Sequence, residues 1–127
     1  MMYRGFGIAV MPLVETARIM KTWGKSSLYR LLTARERAYC GRGSVGRPLE
    51  RIAGRMAAKK AVLKALGIAE GDPGLLTEVE ILPDFRGKPL VVLHGRLREV
   101  LSSCKGSDVQ VSISHGDEVA LAIALLF

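Results

Sequence analysis

Residues 48–67 read PLERIAGRMAAKKAVLKALG, the clearest element in the chain. Pro48 suits the first turn of a helix, where its missing N–H is no loss, and Gly67 suits the position just past the last turn. Between them Ile52, Met56, Leu63 and Leu66 supply an apolar stripe at helical spacing. One long helix is expected over the whole stretch. Upstream, residues 3–11 (YRGFGIAVM) mix glycine with apolar residues and read as a buried strand ended by Pro12. Val14, Ile19, Met20 and Trp23 fit one face of a short helix stopped by Gly24. Thr33 followed by Glu36 is a capping box, so a further helix should begin at Ala34. The only linker-like stretch is the Gly/Arg segment from Cys40 to Arg47.

Downstream the period changes. Leu76, Val79 and Ile81 read as a strand, residues 84–87 (DFRG) as a turn, and residues 90–93 as a second strand. Residues 96–103 read as a helix. Residues 109–114 and 119–127 form a hairpin around His115, Gly116, Asp117 and Glu118. The expected class is α+β in a single domain spanning residues 1–127: an N-terminal strand, a helical half, then an antiparallel sheet packed on the long helix.

The chain has 127 residues, 49% apolar and 24% charged, which is a globular composition and excludes an extensively disordered chain. Its longest apolar run, residues 119–127, falls far short of the roughly 20 residues of a membrane helix. No charged-then-apolar signal pattern opens it, and Cys40 and Cys104 form neither a metal-ligand spacing nor a disulfide framework. A cytoplasmic protein with reduced thiols is expected. The net charge of +7 is unevenly placed: residues 1–64 hold fourteen Lys and Arg against three acids, and residues 65–127 hold five against nine. Such a basic half invites an anionic partner, whether nucleic acid, a phosphate-rich cofactor or an acidic protein.

On the long helix Arg55 and Lys59 share one face, and Lys60 and Lys64 share a neighbouring one. No carboxylate lies among them. The pattern fits a solvated helix face or a phosphate site. Ser112, Ile113, Ser114 and His115 close a strand in which alternation separates His115 from the serines, so a Ser–His nucleophile pair is not expected. No Walker loop, Rossmann fingerprint, zincin motif or paired-cysteine zinc motif occurs, nor any helix-turn-helix or RNA-recognition pattern. Nucleic-acid binding would rest on charge alone and is not expected.

The ordered set of motifs carries a resemblance. It consists of Gly5-Phe6-Gly7-Ile8-Ala9, then Leu32-Thr33 with Glu36, then residues 53–67, then Gly87-Lys88-Pro89, and finally Ser112-Ile113-Ser114-His115. Together they resemble the holo-acyl-carrier-protein synthases, the small members of the 4′-phosphopantetheinyl transferase superfamily. The resemblance implies the fold of that superfamily, a homotrimer with sites between subunits, and a reaction. That reaction moves phosphopantetheine from coenzyme A to a serine of an apo acyl or peptidyl carrier protein, releasing adenosine 3′,5′-bisphosphate, in fatty acid or polyketide biosynthesis. It places Arg47, Arg55, Lys59, Lys64, Gly67, Pro89, Ser112, Ser114 and His115 around coenzyme A.

The departures from the family pattern are as informative. Ala9 stands where the family has an aspartate, Lys60 where it has a glutamate, Pro12 where it has a third acid, and Glu15 where it has a carrier-facing arginine. The aspartate and glutamate are the family's magnesium ligands. Magnesium needs hard oxygen donors, usually one or two carboxylates beside the phosphates. Alanine offers none and lysine repels the ion, so no standard metal site is expected, and loss of such a clamp lowers rates on the order of a hundredfold. Two accounts follow. In one, the Lys60 ammonium takes the metal's place with Lys64 beside it, both then being catalytic, and His115 and Glu36 are the candidate bases. In the other, the chain is an inactive member that binds coenzyme A or a carrier protein.

Overall fold

The first and last strands of the chain are neighbours. The computed structural model describes residues 4–23, 30–40, 48–69, 72–104 and 108–127. Its elements run β1 (Gly5–Pro12), α1 (Leu13–Trp23), α2 (Ala34–Cys40), α3 (Pro48–Ala65), a 3-10 helix (Pro73–Glu78), β2 (Val79–Pro83), β3 (Pro89–Leu93), α4 (Gly95–Ser103), β4 (Val109–His115) and β5 (Val119–Leu126). A three-stranded antiparallel sheet has the order β1-β5-β4, and β2 and β3 form a separate antiparallel pair. The expected sheet is therefore two sheets, both packed on α3 or its neighbours.

Strand alternation sorts the large sheet into two faces. Gly7, Ala9 and Met11 of β1, Ala120, Ala122, Ala124 and Leu126 of β5, and Val109 and Val111 of β4 are buried against α3. Phe6, Ile8, Val10 and Ile123 lie on the opposite, exposed face, together with Ser112 and Ser114. The β1–α3 contact is unusually close because glycine faces the helix. A Cβ on Gly7 would stand 2.7 Å from Lys64 Cβ and 2.8 Å from Ala65 N, with the Ala61 carbonyl nearer still. That close approach explains the G-x-G spacing of the strand.

An apolar stripe proves too narrow a description of α3. Twelve of its eighteen residues are buried, including Ala53, Gly54, Ala57, Ala58 and Ala61. Small side chains let strands and helices approach it from several sides, so it serves as the central post of the fold. Its end is a Schellman motif: Ile68 N donates to Leu63 O (2.9 Å), Gly67 N donates to Lys64 O (3.0 Å), and Gly67 holds φ at +75°.

The capping box at α2 is formed as expected. Thr33 N donates to Glu36 Oε1 (2.8 Å), and Glu36 N donates to Thr33 Oγ1 (3.2 Å). The turn between β2 and β3 is also present, with Asp84 Oδ1 accepting from Arg86 N and Lys88 N, and Gly87 at φ +86°. Leu76 corrects the expected strand. It belongs to the 3-10 helix, which Pro73 and the Asp72 cap start (Asp72 Oδ1 accepts from Gly74 N at 2.9 Å), so pairing begins only at Val79. Arg96 bridges Asp72 and Glu78, and Glu78 Oε1 accepts from Leu97 N, joining α4 to that turn. Gly24 and residues 41–47, Arg47 among them, lie outside the described residues. No described helix is long and apolar enough to cross a membrane.

Candidate functional site

The cations of α3 divide according to helical angle. Arg55 and Lys64 are nine residues apart, so at 100° per residue they leave the helix on opposite sides. Arg55 is only 5% exposed and lies under α2, its guanidinium carbon 4.5 Å from the Tyr39 ring centroid. Arg51 lies 5.5 Å from the same ring. Cation–π contact of this kind holds guanidinium planes in place. Arg55 Nε is buried and has no hydrogen-bond partner among the described residues. Its neighbour Gly54 is the seat of His115: a Cβ there would collide with the imidazole Nε2, and would also stand 3.2 Å from Ile113. The exposed His115 thus rests on the helix at Gly54, on the side of β4 opposite to Ser112 and Ser114. The separation expected from alternation is present.

Lys59 is not part of any ligand-facing surface. Its side chain is fully buried, and its Nζ pairs with Glu36 Oε1 while donating to the carbonyls of Leu76 and Val79, each at 2.5 Å. Three donors meet three acceptors, which leaves none for a coenzyme. The correction has a plain cause: no carboxylate of α3 lies within a turn of Lys59, and α2 supplies one, Glu36. Burial pushes Lys59 below the ordinary lysine value, with Glu36 opposing the shift. Glu36 is equally committed, since Oε2 accepts from Ile81 N at 2.9 Å. It is thereby withdrawn as a candidate base.

Lys60 and Lys64 occupy the side of α3 that meets β1. Lys64 is exposed and its Nζ donates to Ile8 O at 2.9 Å, covering the free edge of the strand. Lys60 is half-buried and has no hydrogen bond or ion pair with the described residues. Ala9 is buried against the helix and pairs with Ala122. A methyl and an ammonium are the side chains offered here, and no group of three or more His, Cys, Asp or Glu residues that could hold a metal occurs among the described residues. These residues do not fit a magnesium ion.

The remaining candidates are spread over the surface. Gly67 is exposed at the end of α3, and Pro89 is half-buried opposite Pro83 at the start of β3. Ser112 and Ser114 are exposed on the outer face of the sheet. In one copy of the chain, Arg55 under α2, His115 on Gly54, Lys60 with Lys64, and the two serines therefore do not form a single cluster. A surface depression of about 360 Å³, lined by Arg35, Ala38, Tyr39, Leu82 and Pro83, includes none of them. Tyr39 was not anticipated. Its signal was the spacing Glu36, Tyr39, Cys40, which sets all three on the α2 face toward α3. Burial holds the Cys40 thiol above its ordinary value, against the pull of Arg55.

The sequence profile of the 4′-phosphopantetheinyl transferase superfamily matches residues 5–124. The chain belongs to that superfamily. Its relatives include the holo-[acyl-carrier-protein] synthase of Solidesulfovibrio magneticus, 36% identical over 125 residues (98% of each chain). That of Syntrophus aciditrophicus is 31% identical over 125 residues, covering 98% of this chain and 96% of the relative. Among solved structures, the holo-[acyl-carrier-protein] synthase of Neisseria meningitidis superposes with a TM-score of 0.90 at 28% identity, covering 99% of both chains. The Bacillus anthracis synthase in complex with CoA (3′,5′-ADP) gives 0.78 at 30% identity, covering 99% of this chain and 97% of that one. The α+β scaffold is shared with these synthases; on it His115 is seated on Gly54, Arg55 is buried, and Ala9 and Lys60 lie on the side where β1 meets α3.

Proposed function

We propose that the chain binds coenzyme A as phosphopantetheine donor and acts on an apo acyl or peptidyl carrier protein, in the manner of holo-acyl-carrier-protein synthases. The observation that carries this reading is the superfamily match from residue 5 to 124, supported by the seat of His115 on Gly54 of α3. In the transfer, a carrier serine oxygen forms a bond to the phosphorus next to pantetheine. The bond from that phosphorus to the bridging oxygen breaks, adenosine 3′,5′-bisphosphate leaves with the electron pair, and the serine proton passes to a base, for which His115 is the remaining candidate. Arg55, His115, Gly67, Pro89, Ser112 and Ser114 are the residues assigned to coenzyme A, with Arg47 beyond the described residues.

A homotrimer is part of the proposal. The exposed face of Phe6, Ile8, Val10 and Ile123 supports self-association. A site between copies would unite groups that one copy holds apart. A cytoplasmic location fits two free cysteines.

A second reading has its own support. Ala9 and Lys60 supply no carboxylate, and Glu36 is consumed by Lys59, which leaves His115 as the remaining candidate base for the serine proton. In that reading it binds coenzyme A or a carrier protein without transfer. The deciding experiment mixes the protein with coenzyme A and several apo carrier proteins, with and without magnesium. Mass spectrometry of the carrier then reports the phosphopantetheine adduct. An adduct establishes the transferase; coenzyme A binding with no adduct on any carrier establishes the second reading.

A further inference from the structure

Two ammonium groups stand on one side of α3, and neither pairs with an acid among the described residues. Lys60 and Lys64 are four residues apart, which puts their Cβ atoms about 5–6 Å from each other on one helix face. Lys64 is fixed by its bond to Ile8 O, which is a carbonyl and cancels no charge. Lys60 pairs with nothing among the described residues. The neighbouring strand presents Gly5, Gly7 and Ala9 toward the helix, so β1 adds neither a carboxylate nor steric bulk on that side. Elsewhere on the same helix the buried Lys59 is neutralised by Glu36 and the buried Arg55 stacks on Tyr39. Lys60 has neither kind of partner among the described residues, which leaves it and Lys64 open to an anion.

We propose that Lys60 and Lys64 form a metal-independent site for a pyrophosphate group, the two ammoniums doing the work of charge neutralisation that carboxylate-held divalent ions do elsewhere. Two point charges about one helical turn apart suit two linked phosphates, each taking one ammonium. The pair leaves no room for a divalent cation, because a third positive charge would have no carboxylate to hold it. The ligand class is a pyrophosphate ester, and its identification as coenzyme A rests on the preceding reading.

Titration calorimetry tests this on the full-length protein with two probes, coenzyme A and inorganic pyrophosphate, each in excess EDTA and in magnesium. The expected result is binding of both probes in EDTA, not strengthened by magnesium, and weakened about tenfold or more in Lys60→Ala and Lys60→Gln. Lys60 is only half-buried, and thermal unfolding of both variants checks that they fold. Pyrophosphate binding that requires magnesium, or that persists unchanged in both variants, overturns the proposal. Metal-free pyrophosphate binding lost in the variants, with no binding of coenzyme A, upholds the lysine site and overturns the coenzyme A reading instead.

Discussion

Glu36 Oε1 sits 2.5 Å from Lys59 Nζ, and neither side chain is reached by solvent. The pair joins α2 to α3, and its outer hydrogen bonds reach Ile81 N and the Leu76 and Val79 carbonyls, tying in β2 and the 3-10 helix. Such an ion pair adds little net stability over a well-packed apolar pair, but breaking it strands a charge. Lys59→Ala should therefore cost about 3–5 kcal/mol, read as a lower denaturant midpoint. Lys59→Met with Glu36→Gln should recover part of that loss. A single Lys59→Ala variant of unchanged stability would show that the lysine is not structural.

Glu80 is the second buried carboxylate and predicts behaviour in acid. Burial raises its pKa, but the hydrogen bonds from Thr33 (2.6 Å) and His94 (3.4 Å), with the charges of His94 and Arg35, outweigh burial and hold it below the ordinary glutamate value of 4.5. A carboxylate whose folded pKa is depressed adds stability above its unfolded pKa and loses it as pH falls through the folded pKa. Wild type should thus lose stability as pH drops below about 4.5, and Glu80→Gln should flatten that part of the curve while lowering stability at neutral pH. Chemical denaturation across pH measures both. Parallel curves for the two proteins would remove Glu80 from the acid response.

Two glycines of α3 and β1 should fail in different ways. In Gly7→Ala the new methyl meets Lys64 Cβ and the backbone at Ala61 and Ala65, which cannot yield without moving helix from sheet. A cost of about 1–3 kcal/mol is expected. In Gly54→Ala the obstacle is the His115 ring, a side chain free to swing into solvent. Stability should change little, while affinity for coenzyme A falls if His115 contacts it. Calorimetry of unfolding and of binding separates the two; equal stability losses in both variants would contradict the distinction.

These contacts also show what could be read from the sequence. The central helix, its proline start and glycine stop, the α2 capping box and the terminal hairpin follow from local spacing, and local spacing was sufficient for them. Hydropathy does not distinguish the 3-10 helix at Leu76 from a strand, because both tolerate the same apolar residues, and the Asp72–Pro73 start decides between them. Lys59 was misread for a deeper reason. Its partner lies 23 positions away on another helix, and helical periodicity reports only which side a residue occupies, never what faces it. The grouping of Lys60 with Lys64 was legible for the same reason that Lys59 with Glu36 was not: one pairing is within a helix and the other between two.

Self-association has the most direct test, because the exposed face has a cross-strand centre. Ile8 pairs with Ile123 across β1 and β5, and both are more than two-fifths exposed beside Phe6 and Val10. Burying such a patch between copies releases its apolar area from water, whereas replacing its centre with lysine puts a charge into any interface built there. Ile8→Lys and Ile123→Lys should each fold, since neither side chain contributes to the buried core of the single chain. Light scattering should then give the mass of a trimer for the wild type and of one chain for the variants. If sites lie between copies, the variants also lose coenzyme A binding with every candidate site residue intact. A wild-type protein that is monomeric at all concentrations would sink the trimer, and a monomeric variant with undiminished coenzyme A affinity would place the site within one copy.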